Sequence, residues 1–160
     1  MATPPVRRRF PCMSTIVTPA EAEAEIRAIM QERVVAVRAK NATKLVAHHA
    51  ADVVSYDLLE PLRYRGIDAV RQRGQQWFDG YDGAMDYEIV GLQVVAAFDV
   101  AFCYGLHHVS GTTRDGRKID MHWRATQGFQ RFDGAWRIVH EHGSVPFDMK
   151  TGKVSFDLKP

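Results

Sequence analysis

The sequence predicts an α+β domain in which helices come first and an antiparallel sheet follows, and three observations carry this. Apolar residues recur at helical spacing through the first part of the chain and lose that spacing from about Met85 onward. Consecutive segments of strand composition then follow, separated by Phe98-Asp99, Asp115-Gly116 and Asp133-Gly134. The stretch from Trp123 to Ser144 reads as one long hairpin, because Asp133-Gly134 tolerates the positive φ of a tight turn and has aromatic and β-branched residues on both sides. Helices followed by a meander pack on one face of the sheet.

The elements can be justified in order. Thr18-Pro19-Ala20-Glu21 combines an N-cap hydroxyl, proline at the first helical position and glutamate at the third, so a helix starts there. Ile26, Ile29, Met30, Val34 and Val37 form its apolar stripe, down to about Arg38. Asn41 caps a short second helix carrying Leu45, Val46 and His49; the Asn41-Ala42-Thr43 triplet matches a glycosylation acceptor, but capping is the expected role. Val53 to Asp57 has the content of a strand, and Glu60-Pro61 with Arg65-Gly66 marks a connecting excursion. Ile67, Val70, Trp77 and Phe78 outline a third helix stopped by Gly80 and Gly83. Strands are expected at about 85–97, 100–111, 117–132 and 135–145. Residues 1–17 read as a flexible tail, 18–147 as the domain and 148–160 as a C-terminal extension whose direction the sequence leaves open.

Composition narrows the class. With 160 residues, 46% of them hydrophobic and 25% charged, the chain fits one ordinary globular domain that buries roughly two thirds of its unfolded surface. The formal charge of +2 comes from Arg7, Arg8 and Arg9; from Met13 onward 18 basic residues face 19 acidic ones. A nearly neutral body lacks the clustered basic face that nucleic acid requires. No apolar run is long enough for a membrane span, and the opening segment lacks the apolar stretch of a secretory signal, with Met13 as a possible start. Cys12 and Cys103 make a poor disulfide framework, so the cytoplasm is the expected location.

The element order, Asp57 set ahead of Gly66, and the terminal strand Trp136-Arg137-Ile138-Val139-His140-Glu141-His142 resemble the nuclear transport factor 2-like superfamily, and within it the ketosteroid isomerase-related, SnoaL-like proteins. The resemblance spans about residues 18–147. It implies a cystatin-like fold: a curved, conical, mostly antiparallel sheet wrapped around the N-terminal helices, often dimeric, with an apolar cavity open at one end. In ketosteroid isomerases the general-base aspartate ends the first strand before a proline-containing loop that finishes in glycine, and Asp57 through Gly66 is similar. A carboxylate at the mouth of an apolar cavity can move a proton between carbons of an enolisable ligand. Equally, Asp57 can cap the loop through backbone N–H groups.

That chemistry also needs donors for the developing enolate oxygen. The position of the family's helical tyrosine falls near Arg33, with no tyrosine between Glu21 and Lys40, and its late-strand aspartate falls near Gln127 or Gly128. Familiar steroid isomerisation is therefore not expected, and His107, Gln127 or Trp123 would have to serve another carbonyl compound. Alternation puts Met121, Trp123, Ala125, Gln127 and Phe129 on the more apolar face of one strand. On the last strand the apolar count favours Trp136, Ile138, His140 and His142 inward, whereas the resemblance favours Val139 and Glu141 inward with His140 and His142 on a dimer face.

The expected acid/base set is Asp57, His107 and Glu141, with Tyr56, Trp77, Trp123, Gln127, Phe129 and Val139 around the ligand. The bland alternative makes them satisfied polar groups of a core or interface. His140-x-His142 supplies only two imidazoles and Gly143-Ser144-Val145-Pro146 supplies no further ligand, so no metal is expected. Without a phosphate loop or nucleophile elbow, no cofactor is expected either. The function these features imply is a homodimer that binds a small apolar, carbonyl-bearing molecule and isomerises, cyclises or hydrates it with Asp57 as base, isomerase or cyclase chemistry ranking ahead of lyase or hydratase. The alternative is a non-catalytic dimerisation or ligand-binding module. It draws on the missing donors and on a last strand resembling the association domain of calcium/calmodulin-dependent protein kinase II.

Overall fold

The computed structural model describes residues 18–160; the expected tail at 1–17, with Cys12 and Met13, lies outside the described residues. Helix α1 (Pro19–Arg38) begins where the capping box places it: Thr18 Oγ1 accepts from the Glu21 N–H at 3.2 Å, and the Glu21 carboxylate accepts from the Thr18 N–H at 2.8 Å. Its buried stripe is the expected one, with Ala22 and Ala36 added. Helix α2 (Ala42–Leu45) is capped by the Asn41 side chain, whose Oδ1 accepts from the Lys44 N–H at 2.9 Å. It stops earlier than its composition implies, and His49 opens strand β1 (His49–Tyr56) instead of closing the helix.

A short strand β2 (Tyr64–Arg65) pairs with β1, and α3 (Ile67–Asp79) follows, burying Val70, Gly74 and Phe78. The helix ends at Gly80, and strand β3 (Tyr81–Ala96) begins at once. Gly83 is therefore not a helix stop. It lies at φ +63° inside a register shift of β3, and a second shift between Val90 and Gln93 bends the same long strand. Strands β4 (Val100–Thr113), β5 (Lys118–Phe132) and β6 (Ala135–Ser144) complete one sheet of order β2-β1-β6-β5-β4-β3. All neighbours are antiparallel except β1 and β6, which run parallel. The bulged strands curve this open sheet around α1 and the two shorter helices. The β5–β6 connection is the two-residue turn expected, with φ +49° at Asp133 and +83° at Gly134.

The inner face of β4 and β5 follows strict alternation, burying Ala101, Cys103, His107 and Val109, then Ala125, Gln127 and Phe129. Strand β6 does not alternate strictly. Gly128 pairs with His140 but Phe129 pairs with Ile138, so Val139 is an extra residue in a bulge. Trp136 and Ile138 face inward before the bulge and Glu141 faces inward after it. Both expectations for this strand were half right. Val139, displaced from the ladder, does not reach the inside.

The C-terminal extension turns back through a Phe147–Val154 bridge and brings the Lys159 ammonium to the Asp120 carboxylate at 2.7 Å. No helix among the described residues is long and apolar enough to cross a membrane. Phe129→Ala should lower stability by about 3–5 kcal/mol by leaving a core cavity, whereas Val139→Ala should cost less than about 1 kcal/mol. Urea unfolding of the two variants checks this, and equal losses would contradict the bulge.

Candidate active site

Between α1, α3 and the inner face of the sheet lies a cavity of about 150 Å³. Its walls are apolar and aromatic, with Leu45, Val70, Trp77, Val109, Met121 and Trp123 prominent. Trp77 meets Trp123 edge-on at 6.1 Å between centroids, and His107 lies 5.5 Å from the Trp123 ring. A volume of this size accommodates a single ring rather than a fused polycycle.

Strand alternation and helical spacing together bring the polar groups here. Arg33 projects from α1, and its guanidinium reaches Glu141 Oε2 at 3.2 Å with both side chains largely buried. Ser55 Oγ donates to Glu141 Oε1 at 3.0 Å, and His49 Nε2 lies 3.4 Å from Oε2. Burial alone would raise the Glu141 pKa, but Arg33, His49 and Ser55 together hold it far below the usual carboxylate range. Burial would likewise lower the Arg33 pKa, and Glu141 and the Tyr87 oxygen reverse that. Glu141 lines the cavity as expected, but as an anchored anion it is a poor proton acceptor.

Deeper in the wall, His107 is fully buried and its Nδ1 meets the Tyr87 hydroxyl at 2.5 Å. Burial, reinforced by the Arg33 charge, pushes the His107 pKa down to about 3, so the imidazole is neutral. Burial pushes Tyr87 up to about 12, and the phenol keeps its proton. The Arg33 charge acts on the Tyr87 oxygen, which favours turning the single phenolic proton away from it, toward His107 Nδ1. In that orientation the His107 proton sits on Nε2, a buried nitrogen without a partner among the described residues. Gln127 Oε1 accepts from Cys103 Sγ at 3.3 Å, which leaves its amide nitrogen as a second donor.

Asp57 lies on the rim, its side chain 21% exposed. Arg73 grips both carboxylate oxygens, with Nε 3.0 Å from Oδ2 and an amino nitrogen 3.2 Å from Oδ1, and Oδ1 also accepts from the Leu59 N–H at 3.1 Å. Loop capping and placement on the cavity are thus both present. Tyr56, Trp77, Trp123 and Gln127 line the cavity as expected. Phe129 does not; at 1% exposure it is core beneath the cavity, and Val139 is held away by the bulge. His142 touches the rim through its own strand end, edge-on to Tyr56, while His140 Nδ1 bonds the Val54 carbonyl at 2.9 Å.

Sequence reading missed Ser55, His49, Arg73 and Tyr87. Three of them carried a signal: Ser55 alternates with Val53 and Asp57, Tyr87 with Met85 and Ile89, and Arg73 falls between Val70 and Trp77 on the apolar stripe of α3. His49 carried none, since its role depends on where α2 stops.

A SnoaL-like domain model matches residues 26–148. The chain belongs to the SnoaL-like family. A nuclear transport factor 2-like protein of unknown function from Pseudomonas putida KT2440 is 34% identical over 90% of this chain and 100% of its own, with a TM-score of 0.82. Two more distant structures share the fold. A candidate calcium/calmodulin-dependent protein kinase II association domain from Xanthomonas campestris is 22% identical, covering 80% of this chain and 91% of its own at TM-score 0.66. A candidate dehydratase of the same superfamily from Streptomyces avermitilis is 14% identical, covering 79% and 97% at TM-score 0.68. No curated protein matches the chain. This SnoaL-like cavity is lined inside by His107, Gln127 and the Glu141-paired Arg33, with the Asp57 carboxylate at its rim.

The neutral imidazole has a pH consequence. The unfolded chain binds a proton at His107 below about pH 6.5 while the folded chain refuses it down to about 3, so stability should fall as pH drops through that window. One such group gives a slope of roughly 1.4 kcal/mol per pH unit. Glu141 adds a second loss below its ordinary value of 4.5. Urea midpoints measured between pH 6.5 and 4.5 should therefore decline less steeply in His107→Gln than in wild type. Equal slopes would show that His107 titrates normally in the fold.

Proposed function

We propose that this SnoaL-like protein binds a ring-sized neutral carbonyl compound and catalyses proton transfer on it, as in an isomerisation or cyclisation. The observation that carries the reading is the buried, unpartnered Nε2 of a neutral His107, a residue that lines the same cavity Asp57 borders. The ligand carbonyl accepts from His107 Nε2–H, with the Gln127 amide and the Trp123 indole as neighbouring donors. Asp57 takes the proton from the adjacent carbon, and charge developing on the oxygen is met by donors already in place. A neutral imidazole suits this role, since it donates without presenting a fixed cation to a neutral ligand.

Arg73 positions the Asp57 carboxylate across the rim, and Glu141 positions Arg33 beneath Tyr87. Oδ2 has Arg73 Nε as its one partner among the described residues, which leaves a lone pair on that oxygen for the proton. The Streptomyces candidate dehydratase gives a lyase reading some support by fold alone.

The test begins with a thermal-shift panel of monocyclic enones and related carbonyl compounds, from which a binder that is turned over is chosen. Asp57→Asn should retain binding and lose about 100-fold or more in kcat. Unchanged turnover would remove Asp57 from the mechanism.

A homodimer belongs to the same reading, because Val95, Val100, Phe102 and Tyr104 leave an exposed apolar patch on the outer face, with Phe102 stacked on Tyr104. A second copy of this face covers it. Sedimentation should show a dimer that Phe102→Glu converts to monomer; a monomeric wild type would sink this part.

A further inference from the structure

The outer face of the sheet, turned away from the cavity, carries a row of metal-ligand side chains. Glu88, His108 and His122 are direct cross-strand partners on β3, β4 and β5, so they project from the same side, and Asp120 precedes His122 by two residues on that face. Ligand atoms from His108, Asp120 and His122 all lie within 4.8 Å of one another. The two imidazoles stack with centroids 4.3 Å apart and planes 17° off parallel. His108 is held from both ends, with Nδ1 3.1 Å from Glu88 Oε1 and Nε2 2.8 Å from Asp120 Oδ1. His122 Nδ1 is buried with no partner among the described residues.

We propose that this cluster is a site for a divalent transition metal of the zinc class, with His108 Nε2, one nitrogen of His122 and the Asp120 carboxylate as ligands. Glu88 acts behind them. By accepting from Nδ1–H of His108 it leaves the Nε2 lone pair for the metal, the arrangement in which a carboxylate orients a ligating imidazole. Two imidazoles and one carboxylate are borderline donors suited to Zn²⁺, with a fourth position left for water. Zinc–ligand bonds of about 2.0–2.2 Å require these separations to shorten, and because the two rings stack nearly parallel one imidazole has to turn so that both in-plane lone pairs meet the ion.

A second feature of the cluster points the same way. The Lys159 ammonium already places a cation on Asp120 Oδ1 at 2.7 Å, delivered by the C-terminal extension. A metal ion takes over that carboxylate, so Lys159 competes with it from within the chain and is released when the site fills. The site shares no residue with the cavity and is independent of the catalytic reading.

The test is titration of the tag-free full-length protein with Co²⁺, followed by its visible absorption and then by Zn²⁺ competition. One ion per chain is expected. His108→Ala and His122→Ala should each abolish binding, while Glu88→Gln should weaken it by about 10- to 100-fold. Lys159→Met should tighten it, and His140→Ala, on a different strand, should leave it unchanged. Circular dichroism establishes that each variant is folded, and Asp120→Asn provides a further surface variant should a histidine replacement unfold. No Co²⁺ binding, or binding that survives the loss of both His108 and His122, would overturn the site. An affinity unaltered in Lys159→Met would overturn the competition.

Discussion

The rest of the structure is arranged around one buried ion pair, Arg33 on α1 against Glu141 on β6. Removing either partner would strand a charge at low dielectric, a loss of several kcal/mol on the usual scale of about 3–5. Glu141 must therefore face inward. Trp136 and Ile138 must also face inward, because they complete the core beneath the cavity. A regular strand cannot satisfy both demands, since residues 136, 138 and 141 do not share one parity. The extra residue at Val139 resolves the conflict, and β1 follows with its own register shift, which brings His49 and Ser55 onto the same carboxylate.

The pair also sets the protonation of the cavity. Arg33 is held as a cation, and its charge near the Tyr87 oxygen favours a phenolic proton directed at His107 Nδ1, which in turn favours the Nε2–H tautomer of His107. Charges in the cavity are matched, Arg33 with Glu141 inside and Arg73 with Asp57 on the rim. Among the aromatic walls the donors without partners are His107 Nε2 and the Nε and Nη1 of Arg33, whose charge is already matched by Glu141. Such a surface favours an uncharged acceptor over an anion, because an anion would have to compete with a carboxylate for each guanidinium.

Most of the fold was legible because its signals are local. The Thr18–Glu21 capping box, the α1 stripe, the Asp133-Gly134 turn and the alternation of β4 and β5 each rest on residues close in sequence. The errors arose where tertiary demands overrode local ones. Gly83 resembled a helix stop but bends a strand, and Val139 was assigned a face that a bulge takes away. The site was legible only in part for the same reason. Asp57, His107, Gln127 and Trp123 could be placed by position and alternation, whereas the role of Glu141 depends on Arg33, 108 residues away in sequence. The outer-face cluster stayed hidden because its members come from three strands whose register no single segment reveals.

The central claim is that the Arg33 charge and the Tyr87 hydroxyl favour a neutral His107 imidazole with its proton on Nε2. Nitrogen NMR of the His107 ring in the folded protein near neutral pH tests this directly. The account predicts a protonated Nε2 and a bare, hydrogen-bond-accepting Nδ1, with that pattern lost in Tyr87→Phe. A proton on Nδ1, or on both nitrogens, would contradict it.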